Sequence, residues 1–521
     1  MSTKKVLVIG AGIGGLVSAL ELAARGFDVT VVERTVGPGG KMREVEVGSA
    51  RIDAGPTVFT MRWVFDEIFE AAGATLDAHL TLKPAEILAR HYWSAGEHLD
   101  LFADIDRSSD AIGAFAGVAE AKRYRQFSDR ARRVFEALEQ PFLRGQRPTP
   151  ISLVQGARLD GLGGLWAGAP FSTLWRELGH HFRDPRLRQL FGRYSTYCGS
   201  SPFSAPAILM LIAHVEQRGV WLIEGGMHRL PLALAELAKR HGAAFCYRSE
   251  VTEIVVTDRR VTGATLASGE TLSADVIVVN ADAGALTRGI LGKAAVGAIP
   301  RAVPLERSLS AVTWALLAHP VDFPLVRHNV FFSDAYRREF DDIFERKALP
   351  SNPTVYVCAQ DRAATDGSEP NGPERLLCLV NAPATADSRS FDAPEIELCE
   401  RRTFALLERC GLHIDRRRGV SVRTTPDDFS RLYPGTGGAL YGPASHGWRA
   451  SFRRPESRTR IRGLYLAGGS THPGAGVPMA ALSGRLAAAS ILADSPSTSL
   501  SPRTAMSGGI STPSAKMKVT G

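Results

Sequence analysis

Lys5-Val-Leu-Val-Ile-Gly10-Ala-Gly12-Ile-Gly14-Gly15-Leu-Val-Ser-Ala-Leu20 reads as a buried strand, a glycine turn and the opening of a helix. The apolar, β-branched run at 5–9 has the texture of a parallel strand covered on both faces. Residues 15–25 are helical by pattern and stop at Gly26, a good helix-ending residue. A second strand follows at 28–33. The whole is a β–α–β unit of the expected size, about thirty residues. Within it Gly10 permits the tight turn, and Gly12 lets backbone approach a pyrophosphate stabilised by the helix N-terminus. Gly14 keeps the turn bare, and Gly15 allows close helix–strand packing. Glu33 stands 18 residues past Gly15, at the end of the second strand, where a carboxylate can bind ribose hydroxyls. The alternative is a glycine-rich turn without a ligand. Strand, helix and acid standing in register favour a bound dinucleotide.

Two further glycine runs narrow the ligand. Gly37-Pro-Gly39-Gly40-Lys41-Met42 follows Glu33 directly. It adds bare backbone against the same cofactor, an extension that NAD enzymes do not need, so it favours FAD. Lys41 can reach a phosphate or the flavin; the alternative is an ordinary turn with an exposed lysine. Asp53-Ala-Gly55-Pro56-Thr57 is a rigid turn that can sit against a ring system. At the other end, Leu464-Tyr-Leu-Ala-Gly468-Gly469-Ser-Thr-His472-Pro-Gly474-Ala-Gly476-Val477-Pro478-Met479-Ala480 reads as strand, glycine run and a helix starting near Pro478. That predicts a second anion- or flavin-facing helix N-terminus.

Composition agrees with a globular protein of two or three domains. The chain has 521 residues, 44% apolar and 22% charged, which excludes collagen-like, disordered and polytopic membrane classes. A net charge of +8 permits attraction to an anionic surface without specifying nucleic acid, and none is expected as a partner. The six cysteines lie far apart, with no zinc spacing, so no metal is expected; they read as reduced thiols of a cytoplasmic protein. The apolar stretch 6–22 is broken by four glycines and followed by a β–α–β pattern, so it is no signal peptide. Elsewhere the longest apolar run is 207–213, too short to span a membrane. Residues 63–217 read as mostly helical. There Tyr124, Phe127, Ala131, Val134, Phe135 and Leu138 form an apolar stripe with Lys122, Arg123, Arg125, Arg130, Arg132 and Arg133 between. Strands are expected at 221–223, 245–254, 261–266 and 275–280, then at 311–317, 354–359 and 376–381 in an antiparallel sheet.

Taken together, GxGxxG, GxGGK, DAGPT, EGGM and the terminal THPGAGVPMAALSG motif resemble the flavoprotein carotenoid desaturases, part of the amine-oxidase-like FAD superfamily. The resemblance covers about residues 5–492. The segments at 188–199 and 219–229, and Met479-Ala480 at the helix start, resemble the 1-hydroxycarotenoid 3,4-desaturase (hydroxyneurosporene desaturase) branch of purple photosynthetic bacteria.

The resemblance implies an α/β fold with a Rossmann-like FAD-binding domain, an interleaved substrate domain built on a mixed sheet, and a helical membrane-facing region. The FAD domain would comprise 1–75, 219–300 and 455–493. The helical region would be 76–218, the substrate domain 301–454, and 494–521 a disordered tail rich in Ser, Thr, Pro and Gly. Gly10, Gly12, Gly15, Glu33, Gly40 and Lys41 would hold the ADP half, with Val251 touching adenine through its backbone. Gly55, Pro56, Thr57, Gly476, Val477 and Met479 would border the isoalloxazine. Many FAD relatives carry an acid in the terminal turn; here it reads Ala467-Gly468-Gly469-Ser470, so amides such as Gly469 or the Ser470 hydroxyl must replace it.

The implied reaction desaturates C3–C4 of an acyclic 1-hydroxycarotenoid in carotenoid biosynthesis, with hydride going to flavin. His472 and Glu224 are candidates to take the second hydrogen as a proton. For His472 the stronger alternative is a hydrogen bond within its own loop. A tunnel lined by 207–213, Tyr194, Tyr197 and Phe203 would hold the polyene, with plain helix core as the alternative. The basic stretch 122–147 would rest on anionic headgroups of the inner photosynthetic membrane, with a solvated helix face as the alternative. Oxygen or a quinone would reoxidise the flavin. Competing readings are a phytoene-desaturase type, a carotenoid isomerase, an amine oxidase, or a non-catalytic prenyl-lipid carrier on the same fold.

Overall fold

A computed structural model describes residues 4–146, 172–300, 306–321, 323–363, 370, 372–415 and 420–495. The opening strand, Lys5–Ile9, lies at the centre of a five-stranded parallel sheet. Its order is Ala244–Cys246, Asp28–Val32, Lys5–Ile9, Val276–Val279, Leu464–Leu466. Alternate side chains go to opposite faces. Val6, Val8, Val29, Val31, Val276 and Val278 pack beneath three helices, Ile13–Ala23, Arg229–Arg240 and Val477–Asp494. Leu7, Ile9, Val32, Ile277 and Val279 pack beneath a small antiparallel sheet of Val251–Thr257, Arg260–Leu266 and Thr271–Ser273. Burial on both faces is why these strands are written in unbroken valine, leucine and isoleucine.

The expected strand at 245–254 is two strands in two sheets. Ala244–Cys246 closes the parallel sheet and Val251–Thr257 opens the small one. Arg248, at φ 55°, turns the chain between them, and Ser249 donates its N–H to the Glu33 carbonyl.

A second, seven-stranded sheet runs Val420–Thr424, Ser310–Ala318, Glu374–Ala382, Val355–Ala359, His328–Phe331, Ile87–Ser94, Glu97–Phe102. It is antiparallel except where His328–Phe331 pairs with Ile87–Ser94, so the sheet is mixed. One face, carrying Val312, Trp314, Val357, Cys378 and Val380, is buried against the helix Ala393–Arg409. A capping box of Asp392 and Glu395 starts that helix. The other face carries Thr313, Tyr356, Leu377, Leu379 and Asn381 and floors a cavity.

The expectation of helix through 63–217 is corrected at 82–102, where the chain forms three strands, Leu82–Pro84, Ile87–Ser94 and Glu97–Phe102. Register shifts between Ile87 and Ala89 and between Tyr92 and Ser94 interrupt the alternation of Ile87–Ser94, whereas Glu97–Phe102 keeps a regular alternation. Among the described residues beyond them the chain is mostly helical, with the stripe from Tyr124 to Leu138 buried along Val118–Leu138, while 147–171 of the expected helical stretch lie outside the described residues. Its arginines meet acids: Arg123 pairs with Glu120, Arg125 with Asp106, Arg130 with Glu177, and both Arg132 and Arg133 with Asp129. Arg147 and residues 496–521 of the expected tail lie outside the described residues. Among the described residues no helix is long and apolar enough to cross a membrane, and no cluster of side chains has metal-binding composition. All six cysteines are thiols, four of them buried.

Candidate active site

The two glycine-rich ends of the chain meet at one cavity of about 1010 Å³ that also reaches the mixed sheet. The helix Ile13–Ala23 begins at Gly12 and the helix Val477–Asp494 at Gly476, neither capped by a side chain. Their first-turn N–H groups therefore lack intramolecular acceptors of the usual kind, and Gly12 to Gly14 and Gly476 to Ala480 line the cavity. The helices touch at glycines. A Cβ on Gly484 would lie 2.4 Å from the Gly14 carbonyl oxygen, and one on Gly14 would lie 2.7 Å from the Gly468 nitrogen. Gly15 is the one predicted cofactor residue outside the lining. A Cβ there would stand 2.2 Å from the Gly10 carbonyl oxygen, so its role is the close packing assigned to it.

Glu33 is buried at the cavity wall. Its carboxylate accepts from the Ala11 N–H at 2.8 Å and from the Thr35 N–H and hydroxyl at 2.9 and 2.8 Å, which ties the second strand to the glycine turn. Lys41 is half-buried. Its ammonium donates to the Leu440 carbonyl at 2.6 Å and lies 5.4 Å from the Tyr433 ring centre. Burial pulls its pKa below the ordinary lysine value, and the Asp282 charge opposes that. Gly40, Gly55, Pro56, Val251, Gly469, Val477 and Met479 line the same cavity. Gly55 can only be glycine, because a Cβ would stand 1.9 Å from the Lys41 carbonyl oxygen.

Asp53 serves the scaffold. Its carboxylate accepts from the N–H groups of Met227 at 2.7 Å and His228 at 3.2 Å, locking the DAGPT turn to the EGGM turn. Burial raises its pKa and those backbone donors pull it back. Thr57 begins a chain of polar contacts into the sheet. Its hydroxyl meets the Tyr356 hydroxyl at 2.7 Å, which meets His328 Nδ1 at 2.7 Å. Burial pushes that imidazole down to about 3, so it stays neutral.

Both proton candidates move off the site. Glu224 ends the strand Val220–Ile223, which pairs with Leu82–Pro84; its carboxylate is 59% exposed beside Lys83 at 3.6 Å, outside the cavity lining. His472 lies behind the loop, with Nε2 at 3.1 Å from the Gly145 carbonyl and its ring edge-on to Phe142. Its neighbour Pro473 faces the cavity and His472 does not. Ser470 does line the cavity; its hydroxyl accepts from the Ala283 N–H at 3.0 Å and keeps its own O–H to donate. Of the expected tunnel residues, Ile208, Leu209, Leu211, Ile212 and Tyr197 line the cavity. Tyr194 and Phe203 do not. The Tyr194 hydroxyl donates to Glu216 at 2.7 Å, and Phe203 packs on Trp175.

Several lining residues escaped the sequence reading. Asn280, at the end of Val276–Val279, donates to the Gly10 carbonyl at 3.3 Å and sits between the two glycine loops. Its place after an apolar strand was the available signal. Arg454 is 3% exposed and donates to the carbonyls of Gly469 and Pro443, each at 2.8 Å. It rigidifies the turn in which many FAD relatives carry an acid. Arg193 lines the wall beside Tyr197.

Glycine backbone from both chain ends, two helix N-termini, a half-buried lysine and a buried acid at the end of the second strand form a cradle that side chains would fill. This suits a dinucleotide carrying a flat ring, and the apolar walls of Ile208, Leu209, Ile212, Leu377 and Leu379 continue it toward the sheet. Comparison with known proteins agrees. Residues 13–492 match the model of the flavin-containing amine oxidoreductases. The chain is 55% identical over 516 residues to hydroxyneurosporene desaturase of Rubrivivax gelatinosus, covering 99% of this chain and 98% of that one. It is 47% identical to the hydroxyneurosporene desaturase of Cereibacter sphaeroides, over 94% and 98% of the two chains. Putrescine oxidase bound to putrescine shares the fold at a TM-score of 0.56 and 14% identity, covering 94% of this chain and 99% of that one. With the glycine cradle in place and more than half the residues shared with one relative from end to end, the chain belongs to the flavin-containing amine oxidoreductases and, among them, to the hydroxyneurosporene desaturase family.

Proposed function

We propose that the protein is an FAD-dependent desaturase that introduces the C3–C4 double bond of an acyclic 1-hydroxycarotenoid. The observation that carries this reading is the continuity of one cavity from the double glycine cradle to an apolar sheet face. Gly10, Gly12, Gly14, Glu33, Gly40 and Lys41 would hold the ADP half of FAD. Gly55, Pro56, Thr57, Gly469, Gly476, Val477 and Met479 would border its ring. Val251 would lie against the adenine. Bound FAD supplies a two-electron hydride acceptor.

The chain's own part is orientation and dryness. Ile208, Leu209, Ile212, Leu377 and Leu379 offer the polyene a wall without polar groups, which excludes water and fixes the substrate's path. The hydroxyl chain from Thr57 through Tyr356 to the neutral His328 can hold or pass a proton next to that path. The polyene is too apolar to diffuse freely, so it reaches the site from a bilayer surface. A second cavity of about 200 Å³, bordered by Trp63, Trp221, Phe135 and Arg218, shares Met61 and Val215 with the first. That shared pair of side chains, next to Phe135 of the helix Val118–Leu138, supports access on that side. The aromatic rings and arginine suit a membrane interface.

The test is direct. The purified protein is expected to carry flavin absorbance, and incubation with hydroxyneurosporene to shift the carotenoid spectrum to the red while phytoene is left unchanged. A red shift with phytoene alone defeats the reading.

A further inference from the structure

One stretch of the cavity wall is at odds with a pocket for hydrocarbon. The short helix Tyr336–Phe340 turns Tyr336, Glu339 and Phe340 toward the cavity, the first two one helical turn apart. Glu339 is 0% exposed, yet among the described residues no lysine, arginine or histidine forms an ion pair with it. One carboxyl oxygen accepts from Asn381 Nδ2 at 3.0 Å and the other from the Thr354 N–H at 3.1 Å. Each oxygen keeps further hydrogen-bonding capacity. Burial raises its pKa to about 7, and the hydrogen bonds from Thr354 and Asn381 only partly offset this. Tyr336 is 8% exposed, and its phenol oxygen has no hydrogen-bond partner among the described residues. Glu339 is close enough to act on the phenol electrostatically, and Arg193, another lining residue, acts on it from a second side.

A buried phenol without a partner and a buried acid without a counter-ion are both unfavourable unless something polar meets them. The polar groups around them, Arg193, Thr354 and Asn381 among them, still leave the phenol without a hydrogen bond and the acid without an ion pair among the described residues. A hydrocarbon substrate would leave both unmet. An alcohol satisfies both at once, accepting from the Tyr336 hydroxyl and donating to a Glu339 oxygen. We propose that Tyr336 and Glu339 form the receptor for the terminal hydroxyl of the carotenoid and so set specificity. This rests on the 1-hydroxycarotenoid reading above and adds the residues that enforce it.

The position of the alcohol gives the receptor a second task. Its oxygen is on C1, and only C2 separates C1 from C3. Anchoring the oxygen therefore also fixes which bond of an otherwise repetitive chain is presented for desaturation. A site built around a substrate hydroxyl rejects the analogue that lacks it, because its own buried groups stay unpaired.

Flavin-loaded wild type, Tyr336→Phe and Glu339→Gln are compared on hydroxyneurosporene and on the same polyene without its hydroxyl. Each variant is expected to lower kcat/KM for the hydroxylated substrate by roughly tenfold, the loss of one buried hydrogen bond. Tyr336→Phe is expected to raise turnover of the unhydroxylated polyene, whose binding no longer leaves a phenol unpaired, while the flavin content per chain stays at the wild-type level. Desaturation away from C3–C4 rises in the variants, a readout that general loosening of the fold would not move selectively. If both variants keep the wild-type preference for the hydroxylated substrate and its product, the receptor assignment is overturned while the desaturase reading stands. If the wild type itself does not act on the hydroxylated substrate, the desaturase reading falls first. Either variant alone decides should the other fail to load flavin.

Discussion

Replacing Glu339 by glutamine removes a carboxyl that is wholly buried and has no counter-ion among the described residues, keeping its shape and its oxygen for Asn381 but setting an amide donor against the Thr354 N–H, a cost that is the same at every pH. In the folded protein the acid titrates at about 7 rather than the ordinary 4.5. The native state therefore holds this proton more tightly than the unfolded chain does. Stability from this site is fully present below the unfolded value of 4.5 and is lost as the pH climbs from there to about 7, staying low above it. Between about pH 5.5 and about pH 8, two titration curves with those midpoints diverge by about 2 kcal/mol, at about 1.4 kcal/mol per unit. The other titratable groups, Asp53 and Lys41 among them, are common to both proteins and drop out of the difference. Urea unfolding of wild type and Glu339→Gln at the two pH values reads it directly. Wild type should weaken by about 2 kcal/mol more than the variant on going to the higher pH. Equal weakening of the two proteins would mean that Glu339 is ionised and solvated in the native state, and the argument from its burial would fail.

Gly14→Ala sets a Cβ 2.7 Å from the Gly468 nitrogen, where only backbone could yield, and should strip flavin from the protein as measured by absorbance per chain. Gly12→Ala meets only the movable end of Asn280 at 2.7 Å, so a smaller flavin loss there than at Gly14 is expected from the same measurement if packing dominates. Asp53→Asn weakens the lock on Met227 and His228 and should cost about 1–3 kcal/mol in thermal or urea unfolding, whereas Glu224→Gln, at an exposed pair with Lys83, should leave turnover within about twofold. His472→Gln should lower stability but leave the pH profile of kcat in place, since the ring is turned to Gly145 and Phe142 rather than the cavity. A profile that lost a limb near neutral pH would return His472 to the chemistry.

The cofactor end of the site was legible in the sequence because its requirements are local. Close backbone approach demands glycine, helix starts follow strands, and an acid closes the unit. These leave motifs at fixed spacing, as at Gly10 to Glu33 and at Gly468 to Met479. The substrate end was not legible, because there the meaning of a side chain comes from partners far along the chain. Glu339 acquires its character from Thr354 and Asn381, and Thr57 from Tyr356 and His328. The two proton candidates failed for the same reason. Glu224 stands beside a conspicuous glycine pair, but strand pairing with Leu82–Pro84 carries its carboxylate out to Lys83. In Ile87–Ser94 the period-two signal is broken by register shifts, while the alternation of Glu97–Phe102 was present in the sequence and went unread.

The central parallel sheet takes its second edge strand from Leu464–Leu466, and the helix that follows lays Gly484 on Gly14. A ribosome must therefore release almost the entire polypeptide before the nucleotide's berth exists. Until then the early β–α–β segment waits with one flank of its sheet uncovered. Holoenzyme assembly is thereby tied to completed translation, and a prematurely terminated product cannot sequester the vitamin-derived coenzyme.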